Sequence, residues 1–143
     1  MENLTGLPID QVRSVFNQVV GEKLQGNYEY QRWFGSKLLK AGYQMTLEVI
    51  DRELKKIDFS NGLELGPGTG IWTKRLLARN PQAHLDLVDI SKEMLGLAQK
   101  NLIQFKNINF YEKNFLEFVS EKKYFFFFSV RVVEYFPDKI SLI

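Results

Sequence analysis

Leu63-Glu64-Leu65-Gly66-Pro67-Gly68-Thr69-Gly70-Ile71-Trp72-Thr73 is the run that most limits what this chain can become. It reads as a strand end, a glycine turn and a helix start. Leu63 and Leu65 close a buried strand. Gly66, Gly68 and Gly70 permit backbone angles that side chains forbid, and they let a ligand approach the main chain. Pro67 stiffens the turn and removes one donor. Helical spacing from Ile71 onward delivers unpaired N–H groups to the turn, which suits a nucleotide-like ligand. Glu64 stands two positions before the first glycine. A lone carboxylate at an apolar strand end is costly, so a cationic partner is expected for it.

The flanking segments supply an α/β alternation. Leu7-Pro8-Ile9-Asp10 opens a helix with Ile9, Val12, Phe16, Val19 and Val20 on one face. The aromatic run Asn27–Phe34 predicts a short helix. Ser36 caps the next helix, which carries an expected buried stripe of Leu38, Gly42, Met45, Val49 and Ile50 and ends near Lys55. A second strand spans His84 to Ile90. Ser91 is its following N-cap, and Lys92 to Leu102 form a helix with Met94, Leu95, Ala98 and Leu102 inward. Asn107 to Lys113 predict a third strand. Lys122 to Val130, with four consecutive phenylalanines, predict a fourth that is buried on both faces. His84 reads as a surface residue.

Asp89 falls nineteen positions after Gly70, at a strand's C-terminal end. In open α/β sheets an acidic residue there accepts hydrogen bonds from ribose hydroxyls. A carboxylate has two accepting oxygens, which matches a vicinal diol. The competing reading is a charge at a helix start.

Composition narrows the partners. The chain has 143 residues, 45% of them apolar and 25% charged, enough for one domain with a core. A net charge of +2 without a basic block argues against a nucleic-acid partner. The absence of cysteine excludes disulfides and thiolate chemistry, and a single histidine argues against a metal site, so none is expected. No apolar run reaches the roughly 20 residues of a membrane span, and the N-terminus has no signal-peptide pattern. A cytoplasmic location, without membrane, is the expectation.

The Glu64–Gly70 run resembles motif I of the class I S-adenosylmethionine-dependent methyltransferases, acidic-x-Gly-x-Gly-x-Gly, and Leu87–Leu95 resembles the segment after strand 2 of that family. The resemblance implies a Rossmann-like α/β sheet with N-terminal helices. It implies S-adenosylmethionine as cofactor and transfer of its methyl group to a small-molecule acceptor. By resemblance, Glu64, Gly66, Pro67, Gly68 and Gly70 hold the methionine end, Asp89 and Ile90 the ribose side, and Asn114 with Phe115 the adenine. Asn114 stands where the family usually has aspartate; a plain turn asparagine is the competing reading. Arg131 to Asp138 resembles the segment beside the transferable methyl, which counts Arg131 among the cofactor-binding residues that the resemblance implies, and Tyr28, Tyr30, Arg131 and Glu134 are candidate groups on the acceptor side. Tyr28, Tyr30 and Trp33 alternatively only pack the lid onto the sheet. No Asn-Pro-Pro-Tyr run is present, which argues against nucleobase or glutamine amines as acceptors.

Residues 1–56 are read as a helical lid and residues 57–143 as a partial cofactor-binding domain. Strand order in the family is 3-2-1-4-5-7-6, so strands 3-2-1-4 are expected here and the C-terminal strands are missing. This predicts an exposed strand 4 edge and a chain incomplete as a catalyst. The alternatives are a non-catalytic methyltransferase-like domain and an NAD-dependent oxidoreductase. The latter's Gly-x-Gly-x-x-Gly would need glycine where Ile71 stands.

Overall fold

The computed structural model describes Leu4, residues 6–23, residues 27–132 and Tyr135. Among these, helix α1 (Ile9–Gln18) runs into a π-helical turn (Val19–Lys23), and a second π-helical turn (Tyr30–Phe34) precedes α2 (Lys37–Leu54). Then follow β1 (Asn61–Leu65), α3 (Ile71–Arg79), β2 (His84–Asp89), α4 (Lys92–Asn101), β3 (Ile108–Glu112), a 3₁₀ turn (Phe115–Glu117) and β4 (Phe126–Ser129). The four strands are parallel in the order β3-β2-β1-β4. This is the expected Rossmann-like order.

Local chemistry sets the boundaries. Ser36 accepts from the Leu39 amide at 3.2 Å and starts α2. Ser91 does the same for Met94 at 3.2 Å and starts α4. The expected inner stripe of α4, Met94, Leu95, Ala98 and Leu102, is buried throughout.

Handedness explains the layers. The crossovers β1–α3–β2 and β2–α4–β3 step in one direction, and right-handed connections place both helices on one face. That face carries Leu85, Leu87, Phe126 and Phe128, in one core with Trp72, Leu76 and Leu77 of α3 and Ile50 and Leu54 of α2. Exposed Arg75 of α3 grips Asp51 of α2 through both carboxylate oxygens. The β3–β4 connection steps back past β1, so it crosses the opposite face. There Asp86, only 3% exposed, receives Lys122 Nζ at 2.7 Å, the Tyr124 hydroxyl at 2.7 Å and Asn109 Nδ2 at 2.7 Å. Burial raises the Asp86 pKa, but these hydrogen bonds outweigh it and hold the carboxyl below its ordinary value.

Two packing expectations are corrected. In α2, Leu38, Met45 and Val49 are exposed; Ile50 and Leu54 are buried, with Tyr43 and Leu47 packed against the core. The helix carries two apolar stripes, and the aromatic cluster of Trp33 and Trp72 selects the one containing Tyr43, which stacks on Trp72 at 5.2 Å. Likewise β4 is not buried on both faces. Phe126 stacks on Phe59 at 4.4 Å, whereas Phe125 and Phe127 are 78% and 64% exposed. Only the first of its two faces is covered by helices among the described residues.

Candidate functional site

The reversal of strand order between β1 and β4 opens a crevice at the C-terminal ends of the strands, where ligands of open α/β sheets bind. Here it is a cleft partly open to solvent. Its floor is the loop after β1, with Leu65, Gly66, Pro67, Gly68 and Thr69. One side is formed by Val88, Asp89 and Ile90 after β2 with Asn114 and Phe115 after β3, the other by Val130 and Arg131 after β4, and the cover by Tyr28, Glu29, Arg32 and Trp33.

The loop is held as a preformed cradle. The Gly66 amide donates to the Val88 carbonyl at 2.8 Å, and the Gly70 amide closes a turn on Pro67 at 2.9 Å. Gly66, Gly68 and Gly70 all have positive φ, at 61°, 56° and 80°. Their neighbours differ. A Cβ on Gly66 would lie 2.2 Å from Val132 Cγ2, and one on Gly70 would lie 2.8 Å from Leu102 Cδ1. A Cβ on Gly68 would meet nothing within 4 Å. Gly68 thus keeps the cleft floor open, while the other two serve close packing.

Asp89 ties strand to loop. Its Oδ2 accepts from the Gly68 amide at 3.2 Å and its Oδ1 from the Ser91 amide at 2.9 Å. Burial pushes its pKa up to about 6, although backbone donors at Ser91, Gly68 and Ile90 oppose the rise. Glu64 does not line the cleft. It points into the sheet core, 2% exposed, where Thr73 Oγ1 donates to it at 2.7 Å. Burial pushes its carboxyl up to about 8, the Thr73 bond opposes this, and the charge of Asp89 adds to it. The described partner of Glu64 is therefore a hydroxyl of α3.

Asn114, 6% exposed, lines the cleft and also caps the 3₁₀ turn. Its Oδ1 accepts from the Leu116 amide at 3.1 Å, and its Nδ2 donates to Glu117 at 3.2 Å. Arg131 lines the cleft with φ at 59°, a left-handed backbone that is unusual outside glycine. Its guanidinium sits 5.9 Å from the Trp33 ring centroid, and that of Arg32 sits 5.6 Å from it. Tyr28 and Trp33 are buried in the cover, whereas Tyr30 is 57% exposed and off the cleft. Burial raises the Tyr28 pKa further above its ordinary value. Glu134 lies outside the described residues.

Sequence reasoning passed over Glu29, Thr69 and Arg32. Thr69 Oγ1 donates to Glu29 Oε1, clasping the N-terminal segment to the glycine loop. Burial raises the Glu29 pKa, against the Thr69 bond and the Arg32 charge. A signal was present in the i, i+3 spacing of Glu29 and Arg32, which shares one helix face. Second anchors are Asn17, which accepts from the Ser91 hydroxyl at 2.7 Å, and Asn101, whose Nδ2 donates to the Thr69 carbonyl at 3.0 Å.

Comparison with known proteins agrees with this architecture. The methyltransferase domain family matches residues 63–142. Malonyl-[acyl-carrier protein] O-methyltransferase 1 of Ilyobacter polytropus is 37% identical over 82 residues, covering 57% of this chain and 31% of that protein. The corresponding enzyme of Halalkalibacterium halodurans is 42% identical over 60 residues, covering 42% of this chain and 22% of that protein. The chain thus spans less than a third of the length of these relatives. Among solved structures, the N-methyltransferase NodS of Bradyrhizobium japonicum, in complex with S-adenosylhomocysteine, superposes with a TM-score of 0.67 at 20% identity. That match covers 89% of this chain and 62% of NodS, and it shows the shared fold. With a family match over more than half its residues, on a sheet of order 3-2-1-4 and a glycine loop facing the cleft, the chain belongs to the class I S-adenosylmethionine-dependent methyltransferases.

Proposed function

We propose that this chain binds S-adenosylmethionine in the cleft and forms the cofactor-holding part of an enzyme that methylates a small-molecule acceptor. The observation that carries the reading is the Asp89 carboxylate, set at the end of β2 and bonded to the Gly68 amide. The residues present fit the cofactor. Gly68 leaves its face of the cleft floor open, Asp89 offers carboxylate oxygens to a ribose diol, and Ile90 and Phe115 supply apolar walls for a flat base. Asn114 is the polar group beside the base, and Gly66, Pro67 and Thr69 line the floor below the amino-acid end. Gly70 and Glu64 act from behind the loop, one through close packing and the other through Thr73.

When bound, a sulfonium cofactor supplies a methyl that is already electrophilic. The protein's part is then positioning and exclusion of water more than proton transfer. The segment from Tyr28 to Trp33 serves as the cover, with Tyr28 and Trp33 closing the cleft. Arg131, at the end of β4, and Tyr28 are the polar groups assigned to the acceptor side. The methylated atom is the one this surface brings to the sulfonium. The malonyl-carrier relatives favour an oxygen nucleophile, and the absence of an Asn-Pro-Pro-Tyr run is consistent with that.

Calorimetric titration tests the reading. S-adenosylhomocysteine is expected to bind and NAD is not. Asp89→Ala is expected to weaken S-adenosylhomocysteine by about 1–3 kcal/mol through loss of charge-assisted hydrogen bonds. Tighter binding of NAD, or unchanged affinity in the variant, would remove the assignment. A companion pair addresses the base. Asn114→Leu is expected to weaken binding, and Asn114→Asp to leave it equal or tighter, because the acceptor oxygen and the cap of the 3₁₀ turn are both retained. A leucine variant with full affinity would make Asn114 a turn residue only.

A further inference from the structure

One margin of the molecule joins an open strand edge to an unused helix stripe. β4 stands last in the order β3-β2-β1-β4, so its outer edge has no strand beside it among the described residues. Edge strands of soluble proteins are commonly blunted by lysine, proline or a bulge. Phe126–Ser129 contains no lysine or proline, and it pairs with β1 in unbroken register. On one flank of this edge Phe125 and Phe127 are exposed. On the other flank a groove runs between α2 and β4, with Met45, Val49 and Ile57 facing Phe126 and Phe128. Met45 and Val49 belong to the α2 stripe that the core leaves outside, together with Leu38 and Gly42, at spacings of four, three and four. Two helices pack along a seam with that spacing. A Cβ on Gly42 would meet nothing within 4 Å, so a second helix has room to approach there. Single exposed apolar side chains are ordinary, whereas a contiguous patch marks an interaction surface.

We propose that this margin is the contact between two copies of the chain. The β4 edges pair antiparallel about a two-fold axis normal to the sheet, and the two α2 helices lie antiparallel on the same face of the joined sheet. The occupant follows from what the surface lacks. A free strand edge takes another strand with free backbone groups and apolar side chains on both faces, and β4 is itself such a strand. A two-fold contact uses the same patch twice and closes at two copies. Charge selects the register. Centred on Phe127, the pair would set Lys123 directly against the second copy's Arg131, which is unfavourable. Centred on Phe126, it sets Lys123 against Ser129 and Phe125 against Phe127, an aromatic cross-strand pair on the exposed flank. On the other flank Met45 and Val49 of one α2 meet those of the other.

Sedimentation of the 143-residue chain, of 16.7 kDa, is expected to give twice that mass. Phe127→Lys on the exposed flank and Met45→Glu across the groove are each expected to raise the dimer dissociation constant about tenfold or more, with the circular dichroism of the fold retained. Ile103→Lys, at an exposed apolar residue beyond α4, is expected to leave it unchanged. The chain has no cysteine, so introduced thiols report the register. Phe125→Cys mixed with Phe127→Cys is expected to oxidise to a linked pair faster than either variant alone, because directly opposed residues lie within disulfide reach. A monomer at every concentration overturns the proposal and gives the edge to a further strand of a longer chain. Species that grow past two overturn the closed two-fold. A dimer that survives either Phe127→Lys or Met45→Glu has its contact elsewhere, and equal linking in the single variants overturns the register. Should Phe127→Lys unfold, Met45→Glu and the thiol pair still decide.

Discussion

Glu64→Gln is expected to raise the melting temperature at pH 8 and to change it little at pH 5. The unfolded chain gives up this proton near the ordinary value of 4.5, whereas burial holds it in the folded chain up to about 8. Between those values the folded state binds the extra proton, so stability falls as pH rises. Below about 4.5 both states are protonated and the handicap is gone; above 8 it is complete. A tenfold difference in proton affinity between the two states corresponds to about 1.4 kcal/mol, so the cost at pH 8 amounts to a few kcal/mol. Glutamine keeps an oxygen for the Thr73 hydroxyl and carries no charge to desolvate. Asp89, pushed up to about 6 by burial, contributes its own decline between 3.8 and 6 in both proteins. That decline is common to both, so the profiles should separate progressively from about pH 4.5 up to about pH 8. Thermal unfolding followed by circular dichroism at pH 5, 6.5 and 8 measures this. Parallel profiles would mean that Glu64 ionises freely, against a solvent or cation that the Thr73 pairing does not provide.

The glycine loop yields the second large effect, as a contrast between neighbours. Gly66→Ala places a methyl 2.2 Å from Val132 Cγ2 on a backbone with φ of 61°. Overpacking and left-handed strain add, for a loss of about 2–4 kcal/mol in stability. Gly68→Ala meets no atom within 4 Å and bears only the strain of its φ, about 1–2 kcal/mol. Its methyl stands in the open floor of the cleft, so its cost falls on S-adenosylhomocysteine affinity. Urea unfolding should therefore rank Gly66→Ala as the more damaging substitution. Titration under folding conditions should show Gly68→Ala as the poorer binder for its stability. The reverse ranking would contradict both the Val132 contact and the open floor.

Much of this site was legible in the sequence because its signals are local. Glycines that need positive φ mark the turn, and Ser36 and Ser91 cap the helices that follow them. Asp89 sits at a strand end because the alternation of apolar and polar residues locates that end. The parallel sheet and its order followed from the resemblance of these segments in sequence. Less legible were the residues whose partners are far away in the chain. Glu29 meets Thr69 across forty positions, and Asp86 meets Lys122 and Tyr124 across 36 and 38. Nothing in the neighbourhood of either carboxylate announces its partner.

Where the backbone must turn, where helices begin and where the strands end could be read from the residues alone. Those properties are set by φ requirements, capping oxygens and periodicity within a few residues. Tertiary structure alone decided which way the carboxylates point and which apolar stripe is buried. Glu64 looked like a ligand group because an isolated carboxylate at a strand end needs a partner; the fold supplies one in Thr73, from α3 packed on the same face. The α2 helix had two usable stripes, and only the stacked rings of Tyr43 and Trp72 selected between them. The phenylalanines of β4 looked buried on both sides because composition records hydrophobicity without recording cover. Right-handed crossovers put α3 and α4 on one face of the sheet, and that handedness leaves Phe127 on the other.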